Sequence, residues 1–249
     1  MNIDHPTRAQ IPALRKLWKQ AFGDTDAFLD LFFSTAYAPR RCRCITVQGQ
    51  IVAALYWFLC HDEEESYAYI YAVATDPAFR GQGLCRRLMD DTHNLLKEQG
   101  YAGAVLVPGE PGLFDMYEKM GYTDLSGADS FDLAAGTPIS MRQVTAEEYA
   151  AARRDLLPPG GIVQEGENLH FLDSYAKLYA GKGFVLAAIT EGTHLYCTEL
   201  LGNLSAAPGI VASLGMQTGT FRTPGKNRFS MYHPLKDIPA PRYFGLAFD

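Results

Sequence analysis

The residues best suited to chemistry lie in one run, Arg80-Gly81-Gln82-Gly83-Leu84-Cys85. A strand-like stretch ends just before it and an amphipathic helical pattern starts inside it. Glycine adopts positive φ without steric cost and lets backbone N–H groups approach a ligand closely. Such amides at a helix N-terminus form an anion site suited to a pyrophosphate. Arg80 adds a positive charge beside it. Two phosphate loops do not fit. The P-loop needs Gly-Lys-Ser/Thr, which is absent, and the dinucleotide fingerprint GxGxxG needs glycine at position 86, which is arginine. Gly81-x-Gly83 alone reads equally well as an ordinary glycine turn.

The elements around this run follow from periodicity. Thr7-x-x-Gln10 is a capping-box pattern, followed by Ile11, Leu14, Leu17, Trp18, Ala21 and Phe22 on one helical face. Gly23-Asp24 ends that helix; Phe28, Leu31 and Phe32 mark a second, ending before Pro39. Strands are expected near Cys42–Gln48 and Ile51–Cys60, with Gly49 in the turn. The second is apolar throughout, as a strand covered on both faces would be. An acidic turn, 62–65, leads to a third strand near Tyr67–Thr75, so the sheet starts as an antiparallel meander. Pro77, Gly81 and Gly83 punctuate the chain. A helix then buries Leu84, Cys85, Leu88, Met89, Leu95 and Leu96 and closes at Gly100. Ala102–Val107 reads as a strand, Gly112–Met120 as a short helix ended by Gly121, and two weak strands are expected near Tyr122 and Phe131.

The second half echoes the first. Thr145-x-x-Glu148, Ala151 and Arg153 match Thr7-x-x-Gln10, Ala13 and Arg15 at an offset of 138. Val185–Ile189 matches Ile51–Leu55 at an offset of 134. Two matches in order at nearly one offset imply a duplicated unit. The copy is incomplete: the strand Leu195–Leu200 runs into Gly202-Asn203-Leu204-Ser205, without a glycine–arginine loop.

Asp76-Pro77, Arg80–Cys85, the flanking strand and helix, and Tyr117-x-x-x-Gly121-Tyr122 together resemble the GNAT acetyltransferase superfamily. Its acetyl-CoA loop reads Gln/Arg-x-x-Gly-x-Gly/Ala; Arg80, Gly81, Gln82, Gly83 and Leu84 fit, and Cys85 replaces the small sixth residue. The order ααβββαβαββ over residues 1–135 also matches, and the echo resembles tandem GNAT proteins with a degenerate second copy. The resemblance implies an α/β fold with a mixed sheet, a GNAT domain at 1–135 binding acetyl-CoA, and a degenerate GNAT-like domain at 136–249 walling the acceptor site. It implies that Val73, Ala74 and Thr75 splay from the neighbouring strand and pair their backbone with the pantetheine arm. A backbone N–H there would hold the thioester oxygen. Tyr117 lies where the family places its general acid, although helical spacing alone makes it a core aromatic packed on Leu113 and Met120. Where the family often has Asn after the fifth strand, this chain has Pro108-Gly109-Glu110-Pro111.

The expected reaction is direct attack of a primary amine, of a small molecule or a peptide, on the acetyl thioester. An alkylammonium with a pKa near ~10.4 must first lose a proton, at a cost of about 4–5 kcal/mol at pH 7. The strand Tyr67–Thr75 has no carboxylate to take it. Glu65, His61, Glu199, the terminal carboxylate at Asp249 or water are the open candidates. Asp62–Glu65 reads equally as a solvated turn. Tyr67, Tyr69 and Tyr71 share one strand face, as an acceptor pocket or as an ordinary aromatic stripe. Two rival readings are a catalytically inactive acyl-CoA-binding sensor or scaffold, and a relative transferring aminoacyl or long acyl groups.

Composition bounds these readings. The 249 residues are 47% apolar and 20% charged, as in globular chains. A net charge of −6 argues against a nucleic-acid partner. The longest apolar run, Ile51–Cys60, is half a membrane span, and Met1-Asn2-Ile3-Asp4-His5 is unlike a secretion signal. The cytoplasm is therefore expected, with no membrane partner. Five cysteines without CxxC read as reduced and structural, with no metal site. The oligomeric state stays open, a homodimer being one reading.

Overall fold

The computed structural model describes residues 1–248. The chain divides into two compact units. The first comprises Met1–Leu106, Glu110–Thr123 and Tyr232–Pro239; the second comprises Val107–Gly109, Asp124–Met231 and the segment from Ala240 onward.

The first unit contains β1 (Asn2–Asp4), α1 (Ile11–Phe22), α2 (Asp26–Thr35), β2 (Cys42–Val47), β3 (Gln50–His61), β4 (Ser66–Thr75), α3 (Leu84–Glu98), β5 (Gly103–Leu106) and α4 (Gly112–Glu118). Gln10 reaches back to the Thr7 amide (2.8 Å), but a 3₁₀ turn, Arg8–Gln10, intervenes before α1. Gly23 ends α1 at φ +77°, its N–H donating to Lys19 O. The Thr25 hydroxyl caps α2 by accepting from the Phe28 N–H. The strands run β1-β2-β3-β4-β5. The first three pairs are antiparallel and β4/β5 is parallel. Helices α1 and α3 both pack on β3, which is why every residue from Ile51 to Phe58 is buried. Trp18 centres an aromatic core, 4.6 Å from Phe32, 5.1 Å from Tyr56 and 5.7 Å from Tyr71 between ring centroids. Its indole N–H donates to Asp24.

The second unit holds most of β6 (Thr123–Ala134), then β7 (Met141–Gln143), α5 (Ala146–Leu156), α6 (Glu167–Tyr175), β8 (Lys177–Gly181), β9 (Phe184–Glu191), β10 (His194–Gly202), α7 (Ala207–Ser213) and most of β11 (Thr218–Pro234). Thr145 and Glu148 form the expected capping box on α5. The strands run β7-β8-β9-β10-β11, antiparallel until the parallel pair β10/β11, and β6 pairs β11. This is the order of the first unit over again: strand, two helices, three antiparallel strands, helix, parallel strand. The second unit thus repeats the first in topology, shortened at its third helix from fifteen residues to seven.

Two differences from the sequence reading have physical causes. The two weak strands expected near Tyr122 and Phe131 are one strand, β6. Gly127 in its middle is no turn: a Cβ there would lie 2.5 Å from Gly225 O, so the glycine permits close strand approach. The units also exchange segments across the expected boundary at residue 135. Tyr232–Pro239 belongs to the first unit. There Leu235 N and Lys236 N donate to Ala102 O (2.9 and 3.1 Å), and the Tyr232 hydroxyl donates to the same oxygen (3.2 Å). No local pattern announces a partner 130 residues away.

Candidate active site

The site is built where β4 parts from β5 while still paired with β3. Opposite β3 the register passes from Ala54↔Ala74 to Tyr56↔Tyr71, so β4 carries one extra residue. Ala72 accommodates it at φ +49°, a left-handed conformation costing a non-glycine residue about 1–2 kcal/mol. Such a bulge bends the strand and re-aims the residues beyond it. On the other side β4 pairs with β5 only over Tyr67–Tyr69 and Gly103–Val105. Val73, Ala74 and Thr75 therefore lie past the last β4/β5 pair, on a strand with an opened edge.

The chain then enters the glycine run. Asp76 caps a single turn, Pro77–Phe79, by accepting from the Ala78 N–H (2.9 Å). The Arg80 Nε donates to Thr75 O (3.2 Å), which ties the exposed guanidinium to the end of β4. Gly81 and Gly83 stand at φ +76° and +73°, and no atom lies within 4 Å of a Cβ at either. They are glycines for the backbone, not for a neighbour. Gly83 is also the cap residue of α3, so the first amides of a fifteen-residue helix, including those of Leu84 and Cys85, have no intrahelical acceptor. Arg80, Gly81, Gln82 and Gly83 are exposed, Cys85 is half-buried and Leu84 is buried.

Tyr117 sits on α4 and is 6% exposed. Burial, with a smaller contribution from Cys85, pushes its phenol well above the ordinary range, so the hydroxyl stays protonated at neutral pH. Its ring meets Tyr122 edge-on at 5.6 Å. Burial pushes the Cys85 thiol up to about 11, which makes it a poor nucleophile. Cys85, at the start of α3, lies near enough to Tyr117 to contribute to the upward push on its phenol.

The candidate bases are placed differently. Glu65 is ion-paired with Lys236. It lies in the β3–β4 turn, six residues from Tyr71, roughly 20 Å along an extended strand. The His61 Nδ1–H donates to Asp62 O (3.0 Å) in the same turn. Burial opposes ionisation of Asp62, but the Tyr67 hydroxyl and the amides of Glu64 and Glu65 outweigh it and hold its carboxyl below the usual range. Glu199 is 1% exposed and accepts two bonds from Arg153 (2.6 and 3.0 Å) and one from the Tyr243 hydroxyl (3.1 Å). Asp249 lies outside the described residues. Tyr69 and Tyr71 pack on Phe58, and Tyr71 also on Trp18 and Phe32, as a core stripe. None of the five cysteines is in a disulfide. Among the described residues no group of three or more His, Cys, Asp or Glu is close enough to hold a metal ion. No motif pointed to His93 or His233, which pack beside Tyr122.

The family model described as "Acetyltransferase (GNAT) domain" matches residues 2–124. These residues are a GNAT domain. The fold extends over nearly the whole chain. A GCN5-related N-acetyltransferase from Anabaena variabilis superimposes with a TM-score of 0.75 at 13% identity, covering 94% of this chain and 73% of its own. One from Kribbella flavida gives 0.69 at 16%, covering 93% and 70%. A tandem GNAT protein from the clavulanic acid biosynthesis pathway gives 0.59 at 10%, covering 96% and 100%. No curated protein matches the sequence significantly. The opened β4 edge and the glycine run both fall inside the GNAT domain. No helix among the described residues is long and apolar enough to cross a membrane.

Proposed function

We propose that this GNAT acyltransferase moves an acetyl group from acetyl-CoA to a primary amine in a ternary complex. One observation carries the reading: the opened edge of β4 leads, through the single turn Pro77–Phe79, into two left-handed glycines at the start of α3. The residues fit the donor. Val73, Ala74 and Thr75 offer backbone groups to an extended pantetheine arm. The amides from Gly81 to Cys85, with Arg80, suit a pyrophosphate. Bound acetyl-CoA supplies the activated acyl group: the acceptor nitrogen forms the new C–N bond as the C–S bond breaks. The amine's proton passes to water, and Tyr117 gives one to the leaving sulfur and regains it from solvent. A thiol with a pKa of roughly 8.5 leaves well, so Tyr117 contributes about 10²-fold. In this reading the protein acts in the cytoplasm.

A second reading, a silent acyl-CoA-binding scaffold, draws on Glu65 and Glu199 both being held in ion pairs. Thiol release from acetyl-CoA, screened against a linear polyamine, an arylalkylamine, an amino-acid ester and a peptide with a free amino terminus, separates the two. Amine-dependent release supports transfer. Acetyl-CoA binding in calorimetry without release supports the scaffold.

A further inference from the structure

The short helix carrying Tyr117 does not hold itself. Helix α4 has seven residues, far below the ~12–15 at which an isolated helix becomes even marginal, and it comes after the loop Pro108-Gly109-Glu110-Pro111. Its C-terminal end is gripped from outside. Arg86 of α3 donates to Lys119 O. His93, also on α3, is buried and places Nε2 2.8 Å from the Tyr122 hydroxyl. His233 stacks on His93 at 4.1 Å with ring planes 9° apart. Its Nδ1 lies 3.1 Å from Gly121 O, and since a carbonyl only accepts, Nδ1 carries the proton. The polar bonds of both imidazoles thus end on two adjacent residues, Gly121 and Tyr122. The Tyr122 N–H in turn donates to Tyr117 O (3.1 Å). Gly121 stands at φ +88°, and a Cβ there would lie 3.0 Å from His233 Cε1. Two leucines would fill the same space without the cost of burying polar rings, so packing alone does not account for the pair.

We propose that His93 and His233 are positioning residues: stacked on each other, they clamp the end of α4 and so set where the Tyr117 hydroxyl stands. The inference rests on Tyr117 being the acid. It makes His233, from the far end of the chain, a requirement of the first unit's chemistry. A misplacement of about 1 Å at a reacting group costs up to ~10²-fold.

The test uses the full chain, acetyl-CoA and the fastest amine of the four classes screened. His233→Leu keeps bulk and removes the donor; it lowers kcat about 10-fold and leaves the acetyl-CoA Kd within about twofold. His233→Asn, whose amide N–H stands near the Nδ1 position, restores most of the rate. The double variant Tyr117→Phe/His233→Leu is no slower than Tyr117→Phe, because both act through one hydroxyl. If Tyr117→Phe is slow and the double variant loses the full product of both effects, the clamp is overturned while the acid stands. If Tyr117→Phe turns over like the wild type, the acid reading falls and the clamp with it. Amide exchange gives a readout without an acceptor: with acetyl-CoA bound, 113–118 exchanges faster in His233→Leu while 88–96 does not. Unchanged exchange in α4 overturns the proposal. His233 is half-buried, so these variants report even where His93→Leu fails to fold.

Discussion

Tyr117 and Gly83 act at different stages of the proposed cycle, and their variants should separate accordingly. Tyr117→Phe removes a proton needed only as the thiolate forms, so kcat falls by about 10²-fold while acetyl-CoA affinity stays within about twofold; steady-state kinetics and calorimetry check the split. Gly83→Val meets no neighbour in the protein. Its cost comes from a β-branched residue at φ +73° and from a side chain projecting where a pyrophosphate would lie. The variant should fold with reduced stability and lose the thermal shift of about 2.7 kcal/mol that acetyl-CoA at ~100 times its Kd confers on the wild type. His93 adds a pH dependence. Burial and the neighbouring His233 hold it down at about 3. The unfolded state therefore binds one more proton than the native state between about pH 6.5 and 3, and stability falls as pH drops through that window. The groups facing the pair are Tyr122 and, beside His233, Asp90 and Gly121 O. Unfolding free energies from denaturant titrations at pH 7.5 and 5.5 should differ by up to about 1.4 kcal/mol, and His93→Gln should shrink that difference. The glycine run and Tyr117 stand out in the sequence as the proposed site because their types fall at a recognisable spacing. His93 and His233 do not, since a stacked pair 140 residues apart leaves no local pattern.

At the scale of elements, what decides the site is where pairing stops. The sequence showed β3 and β4 as strands because their apolar residues are dense and their turns acidic or glycine-bearing. It did not show the extra residue of β4, because Tyr71-Ala72-Val73-Ala74 alternates as an unbroken strand would. The strain appears only when the register with β3 is known. The same holds for Gly103. It reads as an ordinary residue near the start of β5, yet a Cβ there would fall 2.1 Å from the Tyr232 ring. Tyr232 is 3% exposed and bonded to Ala102 O, so its ring has little room to retreat. Gly103→Ala should therefore overpack this contact and destabilise the protein by about 1–3 kcal/mol, measured by chemical denaturation. A stability within about 0.5 kcal/mol of the wild type would mean that the end of β11 yields easily, and that its hold on the first unit is loose.

The duplication was legible at the scale of the whole molecule because capping boxes and apolar strands survive divergence; the trading of Tyr232–Pro239 into the first unit was not, because nothing in residues 232–239 differs from an ordinary strand end. The second copy repeats the first down to its parallel pair: β10 pairs β11 over His194–Cys197 and Thr218–Phe221, with a register shift at Cys197/Glu199. Beyond β10 the two copies differ in kind. After Gly202, Asn203 caps a turn by accepting from the Ser205 N–H, and α7 has seven residues with no arginine at its start. Past the register shift, Glu199 accepts from Arg153 and Tyr243, and a Cβ on Gly245 would lie 2.9 Å from Glu199 Oε1. The segment around Gly245 is anchored as well: Gln164 donates to Leu246 O, and Phe244, Leu246, Ala247 and Phe248 are buried. Chain and ion pair thus pack against β10 just where the first copy opens its edge. A pyrophosphate would find neither amide cradle nor cation there. Calorimetry on the full chain should accordingly give one acetyl-CoA per chain; two sites, both competed by CoA, would overturn this account. Glu199→Ala leaves Arg153 buried and uncompensated, which should cost about 3–5 kcal/mol of stability. The acetyl-CoA stoichiometry of whatever remains folded should still be one, because the pair lies within the second copy and takes no part in the donor site proposed for the first.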